Sequence, residues 1–452
     1  MNDKIKDYDI IVIGGGTSGT MAAIAAGRSG ASVLLVEKNG FLGGVMTGAG
    51  VGPMMTFHAG NEQVIQGIMG EMTERLIQDG YSPGHIDDST GFTYSVTPFD
   101  AEGMKRVEEE MVIEAGCDIL YHTMLASVEV QEKKIQSVTL CNKHGLSKYK
   151  SKVYIDATGD ADLSAWAGVP FSKGRHGDGA MQPVSLMLRM DHVDIEEVKK
   201  YVTKHPEEFP RLNGNTNQVV KANRLSIAGF HKQFSESKDK GLLSTDREDV
   251  LLFETNTPGE VIFNTTRILS CDGTDPISLS KAEIEGRRQA KELADFAVKS
   301  LPGFSKARVV QTGPSIGVRG SRQIVGIYTL TGQDLMDGKK FDDTITIGGY
   351  PIDIHSPSGE GTEVIKMPWG HQYHIPYRCL INGNIDNLIT VGRCISADFE
   401  AQAAIRVSPI IGAVGEAGGT AAGMMIQDKR KSVLEVDTIE LRRVLKENGM
   451  YV

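Results

Sequence analysis

The pattern of apolar positions along the chain predicts alternating strands and helices. An unbroken apolar run from Ile10 to Ile13 is typical of a parallel strand that is buried on both faces. A glycine-rich turn comes next, and the stretch from Thr17 to about Ser29 is predicted to be a helix. A second apolar run, Val33 to Val36, predicts the next strand of the same sheet. The chain therefore starts with a strand, a tight turn, a helix and a parallel strand.

The turn in this unit has the spacing Gly-x-Gly-x-x-Gly, formed by Gly14, Gly16 and Gly19. Gly14 permits the turn, Gly16 lets the backbone approach a diphosphate, and Gly19 lets the helix pack closely on the sheet. The diphosphate would lie at the helix N-terminus, where free N–H groups and the helix dipole favour an anion. Glu37 ends the second strand, where a carboxylate accepts hydrogen bonds from a ribose diol. The pattern therefore predicts a dinucleotide cofactor.

Similar patterns continue along the chain. Helices are predicted at 61–80, at 100–114, after a cap at Asp194, from Ser280 to near Pro302, and in a Gly- and Ala-rich stretch near the C-terminus. Short strands at 118–121, 126–130, 135–140 and 147–151 predict a small antiparallel sheet, before 153–155 returns to the main sheet. Strands and helices then mix from about 170 onward, until 388–393 predicts another buried strand. We expect an α/β fold in which a Rossmann-like domain (1–168 and 386–452) is interrupted by an inserted α+β domain (169–385).

Composition excludes several classes of partner. The 452 residues are 40% hydrophobic and 23% charged, an ordinary globular balance with enough chain for two domains. The net charge of −10, without a long basic run, argues against nucleic acid and anionic membrane surfaces. The stretch most similar to a membrane span, 408–426, contains Glu416 and many glycines, so a buried helix is the better interpretation. We therefore predict no integral membrane segment.

The cysteines and the N-terminus indicate a cytoplasmic protein. The five cysteines are odd in number and show no CxxC spacing, which favours reduced thiols and predicts neither an iron–sulfur cluster nor another metal site. A signal peptide is an alternative, because Lys4 and Lys6 precede the first apolar run. Asp7, Asp9 and the glycines within the run argue against it.

Four segments together resemble the FAD-dependent oxidoreductase family of the glutathione-reductase-like superfamily. They are IIVIGGGTSG with VLLVEK, YIDATGDADLSAWAG, IGVRGSRQIVGIYTLTGQD, and IPYRCL followed by LITVGRCISADFEAQAAIRVSPIIGAVGEAGGTAAG. The flavoprotein portions of heterodisulfide reductases are the most similar, and fumarate reductase and succinate dehydrogenase flavoproteins are more distant. The resemblance covers nearly the whole chain and implies FAD rather than NAD. It also implies noncovalent attachment, because the short glycine loop has no histidine.

The resemblance implies that FAD lies on the discontinuous domain, with its isoalloxazine ring facing the inserted substrate domain. The start of the C-terminal helix, 408–412, would direct backbone N–H groups at the flavin N1–C2=O edge and stabilise negative charge on reduced flavin. The implied cofactor-binding residues are Gly14, Gly16, Thr17, Ser18, Gly19, Glu37, Lys38, Gly43, Gly44, Leu125, Ala157, Thr158, Gly159, Gly392, Arg393, Ser408, Ile410 and Ile411.

The predicted catalytic residues are Arg406, Arg319 and His374. Arg406 matches an arginine that lies at the substrate carboxylate in the fumarate reductase relatives. Arg319 lies in a motif-bearing segment and can hold an anion bidentately, although a structural ion pair explains it equally well; the same holds for Arg322, Arg378 and Arg393. His374 is a candidate proton donor, with a structural histidine as the alternative. Further candidates of lower weight are His371, Tyr373, Tyr377, and His58 and His176 in loops; Cys394 is interpreted as a buried small residue.

Two functions remain open on these grounds. The first is an FAD-dependent oxidoreductase that transfers a hydride between flavin N5 and a small organic substrate with an anionic or carbonyl group. Its electron donor or acceptor is unidentified, because the chain has one dinucleotide fingerprint. The second is an electron-transfer flavoprotein within a heterodisulfide-reductase-like complex, although the cysteine clusters of that family are missing. Both are compatible with a homo-oligomer.

Overall fold

The computed structural model describes residues 6–359 and 361–452. The first elements are β1 (Lys6–Ile13), α1 (Thr17–Arg28), β2 (Val33–Val36), α2 (Val45–Gly48), β3 (Met54–Met55), β4 (His58–Ala59), β5 (Glu62–Gln63), α3 (Gly67–Gln78), β6 (Val96–Thr97), α4 (Ala101–Glu114), β7 (Asp118–Leu120), β8 (Met124–Gln131), β9 (Lys134–Asn142), β10 (Gly145–Asp156), α5 (Asp162–Trp166) and β11 (Phe171–Lys173).

The middle of the chain contains β12 (Leu188–Asp191), α6 (Ile195–Lys204), α7 (Asn217–Lys221), β13 (Ser226–Gly229), α8 (His231–Asp239), β14 (Val250–Glu254), β15 (Val261–Phe263), α9 (Pro276–Ser300) and β16 (Arg308–Thr312). The last elements are β17 (Arg322–Ile324), α10 (Gly332–Met336), β18 (Thr344–Gly348), β19 (Ile352–His355), β20 (Thr362–Ile365), β21 (Tyr373–Pro376), β22 (Leu388–Thr390), α11 (Phe399–Ile405), α12 (Ser408–Gln427) and α13 (Thr438–Glu447).

The central sheet is mixed and mainly parallel, as the apolar runs predict. Its strand order is β7-β2-β1-β10-β9-β8, and β22 also pairs with β10. Strands β7, β2, β1, β10 and β22 are parallel, whereas β9 pairs antiparallel with both β10 and β8. The predicted small antiparallel sheet is present as β8, β9 and the first half of β10, and it is continuous with the central sheet. Strand β10 runs without a break from Gly145 to Asp156, so the β8–β9 hairpin extends the central sheet.

Three hydrophobic clusters explain how the chain packs around this sheet. The first lies on one face of the central sheet with α1, α3, α4 and α12, and it also includes buried residues from Leu330 to Ile381. A further cluster, with Ile11, Leu34 and Tyr154, covers the other face of the central sheet. The second cluster runs from Val184 to Ile316 and contains the five-stranded antiparallel sheet β13-β14-β15-β12-β16. This second cluster is narrower than the predicted insert 169–385, and the exact division into domains stays a prediction.

Helix boundaries follow the capping residues. The predicted cap at Asp194 is confirmed, because its carboxylate accepts from Glu197 N at 2.9 Å at the start of α6. The predicted start of α9 at Ser280 is wrong, since the helix begins at Pro276 with Asp275 as its cap. An aspartate followed directly by proline is a stronger start signal than the serine downstream. The predicted helix at 61–80 begins only at Gly67, because the preceding residues form the β4–β5 hairpin.

Glycines in α12 let it lie directly on α1. A Cβ added at Gly415 would stand 2.1 Å from the Ser18 carbonyl oxygen, and one at Gly419 would stand 2.2 Å from that of Ala22. This contact accounts for the Gly- and Ala-rich composition of a helix that is buried along most of its length. In the described ranges, no helix combines the length and the apolar character that crossing a membrane requires.

Candidate functional site

The glycine-rich turn has the geometry that its spacing predicts. Gly14 has φ +104°, and a Cβ there would stand 2.5 Å from the Ala157 carbonyl oxygen. A Cβ at Gly19 would stand 1.8 Å from the Gly14 carbonyl oxygen, so α1 can meet the turn only with glycine at this position. At Gly16 the nearest atom to an added Cβ is the Gly44 Cα at 3.6 Å, an ordinary contact. The backbone at Gly16 is therefore the open part of the turn.

Glu37 is buried at the end of β2 and is held by three donors. Its Oε2 accepts from Gly15 N at 2.7 Å, and its Oε1 accepts from Asn39 N and Nδ2 at 2.8 Å each. These bonds hold the carboxylate beside the glycine turn. A carboxylate has about four acceptor positions, so one remains for a ribose hydroxyl. Nearby, Lys38 is exposed, while Leu125 on β8 is half-buried.

The loop after β2 approaches the same turn. Gly43 N donates to Gly15 O at 3.0 Å, and Thr17 Oγ1 donates to Gly43 O at 3.5 Å. Gly43 and Gly44 both have positive φ, +100° and +56°, which glycine adopts without strain. The two glycines therefore bring backbone, and no side chains, up to the N-terminus of α1.

Arg393 stands over the strand end at 157–159. Its Nη2 donates to Asp160 Oδ1 at 2.7 Å, and its Nη1 would be 3.0 Å from a Cβ at Gly159. The Arg393 Nε is buried and has no acceptor in the described part of the chain. Thr158 instead makes local bonds, accepting from Asp162 N and donating to Asp156. Arg393 is thus a buried donor beside the glycine turn.

The N-terminus of α12 completes this surface. Its N-cap residue, Val407, provides no side-chain cap, so the N–H groups of Ser408 and Ile410 have no capping acceptor. Ser18 Oγ donates to Ile411 O at 2.8 Å and ties α1 to α12. This surface fits a bound FAD. It offers an acceptor at Glu37, the open glycine backbone, the Arg393 donor, and the N-termini of α1 and α12, whose N-cap residues provide no side-chain cap. Contact of each predicted residue with FAD stays a prediction.

Arg319 and Arg406, both predicted catalytic residues, lie close enough for their charges to interact. Arg406 follows α11, and its Nη2 donates to the Asp353 carbonyl at 3.2 Å and to Asp353 Oδ2 at 3.4 Å. Arg319 Nη1 donates to Pro183 O at 2.5 Å and to Ser185 Oγ at 2.9 Å. Burial, and then the nearby Arg406 charge, lower the pKa of Arg319 to about 9. The two guanidinium groups therefore share one electrostatic environment.

Four residues of this site, three of them at β19 and the fourth Arg267, were not predicted from the sequence. Asp353 and His355 alternate on β19 and so lie on one face of it, and Tyr350 precedes the strand. Asp353 Oδ2 accepts from Tyr350 OH at 3.2 Å and lies 3.4 Å from His355 Nε2. The alternation of apolar and polar residues in Ile352-Asp-Ile-His355 is the signal that could have identified them.

Arg267 reaches the same residues from the segment after β15. Its Nη1 donates to the carbonyls of Gly359 and Gly361 at 2.8 and 3.0 Å, and its Nη2 lies 3.4 Å from His355 Nδ1. We call Arg267, Arg319, Tyr350, Asp353, His355 and Arg406 the arginine cluster.

Burial and charge set the protonation states in the arginine cluster. Burial, and next the Arg319 charge, lower the pKa of His355 to about 3, so this imidazole is neutral near pH 7. Burial would raise the pKa of Asp353, but His355, Arg406 and Arg319 outweigh it and hold this pKa below its usual range. Burial raises the pKa of Tyr350 well above its usual value. At neutral pH the cluster thus contains three guanidinium cations and one carboxylate.

The structure does not bring His374 into the arginine cluster. Its Nδ1 lies 3.5 Å from Thr344 Oγ1, and burial, followed by the charges of Lys340 and Arg442, lowers its pKa. The preceding residue, Tyr373, turns to the other face of β21 and contacts Ala404 O at 3.5 Å. His371 Nε2 contacts Leu335 O at 2.7 Å, and Tyr377 OH donates to Val433 O at 3.1 Å.

The remaining candidates have other partners. Arg322 pairs with Asp162 at 2.7 Å, and Arg378 pairs with Asp343 at 2.9 Å. His58 Nδ1 lies 2.8 Å from Ser95 Oγ, while His176 is exposed. Cys394 is fully buried, as expected, and burial raises the pKa of its thiol.

Known proteins match parts of this chain in sequence. Digeranylgeranylglycerophospholipid reductase 1 of Methanococcoides burtonii is 27% identical over 211 residues, which is 44% of this chain and 48% of that protein. A soluble pyridine nucleotide transhydrogenase of Mycobacterium tuberculosis is 46% identical over 52 residues, 12% of this chain and 11% of that protein. The match to the first relative spans about half of that relative's length.

Solved structures of flavin enzymes share the fold. The flavin-dependent halogenase CmlS has a TM-score of 0.52 and 12% identity, covering 98% of this chain and 62% of its own. The flavin-dependent brominase Bmp2 has a TM-score of 0.50 and 13% identity, covering 98% of this chain and 83% of its own.

A sequence profile for a whole family gives the widest match. The profile described as FAD dependent oxidoreductase aligns with residues 9–445, nearly the whole chain. The protein therefore belongs to the FAD-dependent oxidoreductase family, and FAD is its cofactor.

Proposed function

We propose that this oxidoreductase transfers a hydride between flavin N5 and a small organic anion held by Arg406 and Arg319. The charge balance of the arginine cluster carries the proposal. Two guanidinium groups, those of Arg319 and Arg406, act on the single carboxylate of Asp353, and the Arg267 guanidinium lies further out, against His355. A negatively charged substrate would offset the excess positive charge, whereas a neutral substrate would leave it uncompensated.

Arg406 has donor capacity left for such an anion. Its Nη2 is used by Asp353, but its Nε is buried and has no acceptor among the described residues. A buried N–H without an acceptor costs free energy, which a bound carboxylate would recover by accepting from it. The same residue therefore supplies both the charge and an unsatisfied donor.

The position of Arg406 in the chain supports its proposed role. It lies two residues before Ser408, the start of α12, whose N–H groups the family resemblance directs at the flavin. An anion on Arg406 would consequently lie near the flavin end of that helix. The bound FAD supplies the hydride chemistry. The arginines orient the substrate, and the neutral His355 adds no charge to its binding.

No contact among the described residues specifically favours a lipid substrate or an electron-transfer role. The hypothesis of an electron-transfer flavoprotein receives no support from the relatives or from the shared fold. The name of the reductase from Methanococcoides burtonii suggests an isoprenoid lipid substrate, and we treat that chemistry as a competing outcome of the test below.

The test is anaerobic reduction of the FAD-loaded protein by candidate substrates, followed by flavin absorbance. The panel contains small hydroxy- and amino-carboxylates with their matched amides, and the protein reduced with dithionite is offered unsaturated carboxylates and digeranylgeranylglycerophospholipid. We expect reaction with at least one carboxylate and much slower reaction with its amide. Reaction with digeranylgeranylglycerophospholipid alone, or no reaction with any carboxylate, would overturn the proposal.

A further inference from the structure

Asp353 connects the arginine cluster. Its Oδ2 is approached by Tyr350 OH at 3.2 Å, His355 Nε2 at 3.4 Å and Arg406 Nη2 at 3.4 Å. Its own carbonyl oxygen also accepts from Arg406 Nη2, at 3.2 Å. We propose that Asp353 is a positioning residue that holds the Arg406 guanidinium in the orientation needed to bind the substrate anion. This inference rests on the proposed function.

The double contact limits how Arg406 can turn. A single Nη2 atom is held by two oxygens of the same residue, one of them in the backbone of β19. A guanidinium is planar, so fixing one terminal nitrogen also directs the remaining N–H groups. The unsatisfied Nε then points to a defined place, and the side chain does not have to be ordered when the anion binds.

His355 extends this arrangement to Arg267. Arg267 has donors only, so His355 Nδ1 must accept from its Nη2, and the imidazole proton must therefore lie on Nε2. That Nε2–H faces Asp353 Oδ2. The series Arg267, His355, Asp353 and Arg406 thus joins an arginine that is adjacent in sequence to Ile268 of the second hydrophobic cluster to the arginine that precedes α12.

Tyr350 is the third donor and is independently oriented. Its ring packs edge-on against Phe92 with centroids 5.8 Å apart, which directs the hydroxyl toward Asp353. The side chains of Asp353 and Arg406 are only 10% and 13% exposed, so water competes weakly for these contacts. Asp353 Oδ2 and Arg406 Nη2 therefore have few alternative partners to the contacts described.

The test compares anion binding by FAD-loaded wild-type protein and the variant Asp353→Asn. The probes are acetate and malonate, titrated by calorimetry and by perturbation of the flavin absorption spectrum. Asp353→Asn removes a negative charge, which by Coulombic attraction alone would strengthen anion binding, so weaker binding would report the lost orientation of Arg406. We expect affinity at least tenfold weaker in Asp353→Asn, a raised KM with a smaller change in kcat for any carboxylate substrate, and unchanged FAD content. Asp191→Asn is the matched control, since Asp191 also pairs with an arginine and a histidine, Arg308 and His192, but at the surface.

A double-mutant cycle separates positioning from a general structural role. If Asp353 acts through Arg406, then Asp353→Asn will have no further effect on anion affinity in an Arg406→Ala background. Equal losses in both backgrounds, or wild-type affinity in Asp353→Asn, would overturn the inference while leaving the anion site intact. Failure of wild-type protein to bind either probe would overturn the anion site and this inference together. Unfolding temperatures of all variants exclude loss of folding as the cause.

Discussion

The hydroxyl of Ser18 in α1 donates to the carbonyl of Ile411 in α12 at 2.8 Å, although the two residues are 393 positions apart. The bond joins the helix that begins at the glycine turn to the helix that begins near Arg406. Gly415 lies one turn further along α12 and touches the Ser18 backbone. The relative position of the two helix starts that are predicted to face FAD therefore depends on close packing between α1 and α12.

Replacement of Gly415 by alanine should disrupt this contact. The added Cβ would meet a backbone oxygen at 2.1 Å, which cannot move aside as a flexible side chain would. We expect destabilisation of about 1–3 kcal/mol and loss of FAD on gel filtration. The control is Gly70→Ala in α3, where an added Cβ meets nothing within 4 Å and alanine should stabilise the helix by about 1 kcal/mol. Denaturant unfolding measures both, and wild-type stability in Gly415→Ala would contradict the packing.

Replacement of Arg406 by alanine should weaken turnover and leave FAD bound. Loss of a charge-assisted hydrogen bond costs about 1.5–3 kcal/mol, so kcat/KM for a carboxylate substrate should fall about tenfold to a hundredfold. Arg308→Ala removes an arginine from a surface pair with Asp191 and serves as the control. Steady-state kinetics and the flavin-to-protein absorbance ratio give the two readouts. Unchanged turnover in Arg406→Ala would contradict the proposed role.

Anion affinity should fall as pH rises through about 9. Burial and the Arg406 charge lower the pKa of Arg319 to about 9, so this guanidinium loses its proton well below the usual range for arginine. Its charged form, which attracts the anion, predominates below that pH and disappears above it. Titration of malonate across this range should show the decline in wild-type protein. Arg319→Gln should bind more weakly throughout and lack the decline; a decline that persists would point to another group.

Global stability should fall as pH rises from the ordinary carboxyl range toward pH 8. Burial raises the pKa of both Glu108 and Glu416 to about 8; at Glu416 the Ile68 N–H and Arg28 only partly oppose it. Between the ordinary carboxyl pKa and pH 8, both groups are protonated in the folded protein but ionised in the unfolded chain. The folded state therefore binds more protons in this interval and loses stability as pH rises. Unfolding by denaturant at several pH values should show this slope.

The double variant Glu108→Gln and Glu416→Gln should flatten that pH dependence. Glutamine keeps the size of the neutral side chain but cannot ionise. Glu110→Gln changes an exposed residue of the same helix as Glu108 and should keep the wild-type slope. A double variant with an unaltered slope would show that other groups cause the dependence.

Local patterns predicted the parts of the fold that depend on neighbouring residues. The β1–α1–β2 unit and the cap at Asp194 are of this kind. The small antiparallel sheet at β8 and β9 was predicted, but its pattern does not show that β10 continues from it into the central sheet. The start of α9 was misplaced because two capping signals compete within a few residues.

The candidate site likewise contains residues that local motifs predicted and residues that they did not. Motifs identified Arg319 and Arg406, but Asp353, His355 and Tyr350 have no motif and were missed. Their contacts with Arg267 and Arg406 join segments 50 or more residues apart, for example 53 between Arg406 and Asp353. His374 was predicted from its place near the return strand. It lies on β21, and the alternation of side chains along β21 turns it toward Lys340 and Arg442.

The sequence by itself determined the cofactor class and the helices and strands that hold it, because the glycine turn, its strand and its terminal glutamate interact within one short segment. Only the tertiary structure decided which charged residues meet. Guanidinium and carboxylate groups attract at short distance once burial excludes water, and that proximity arises from packing between distant segments. The arginine cluster, with its excess positive charge around Asp353, is therefore a property of the folded chain.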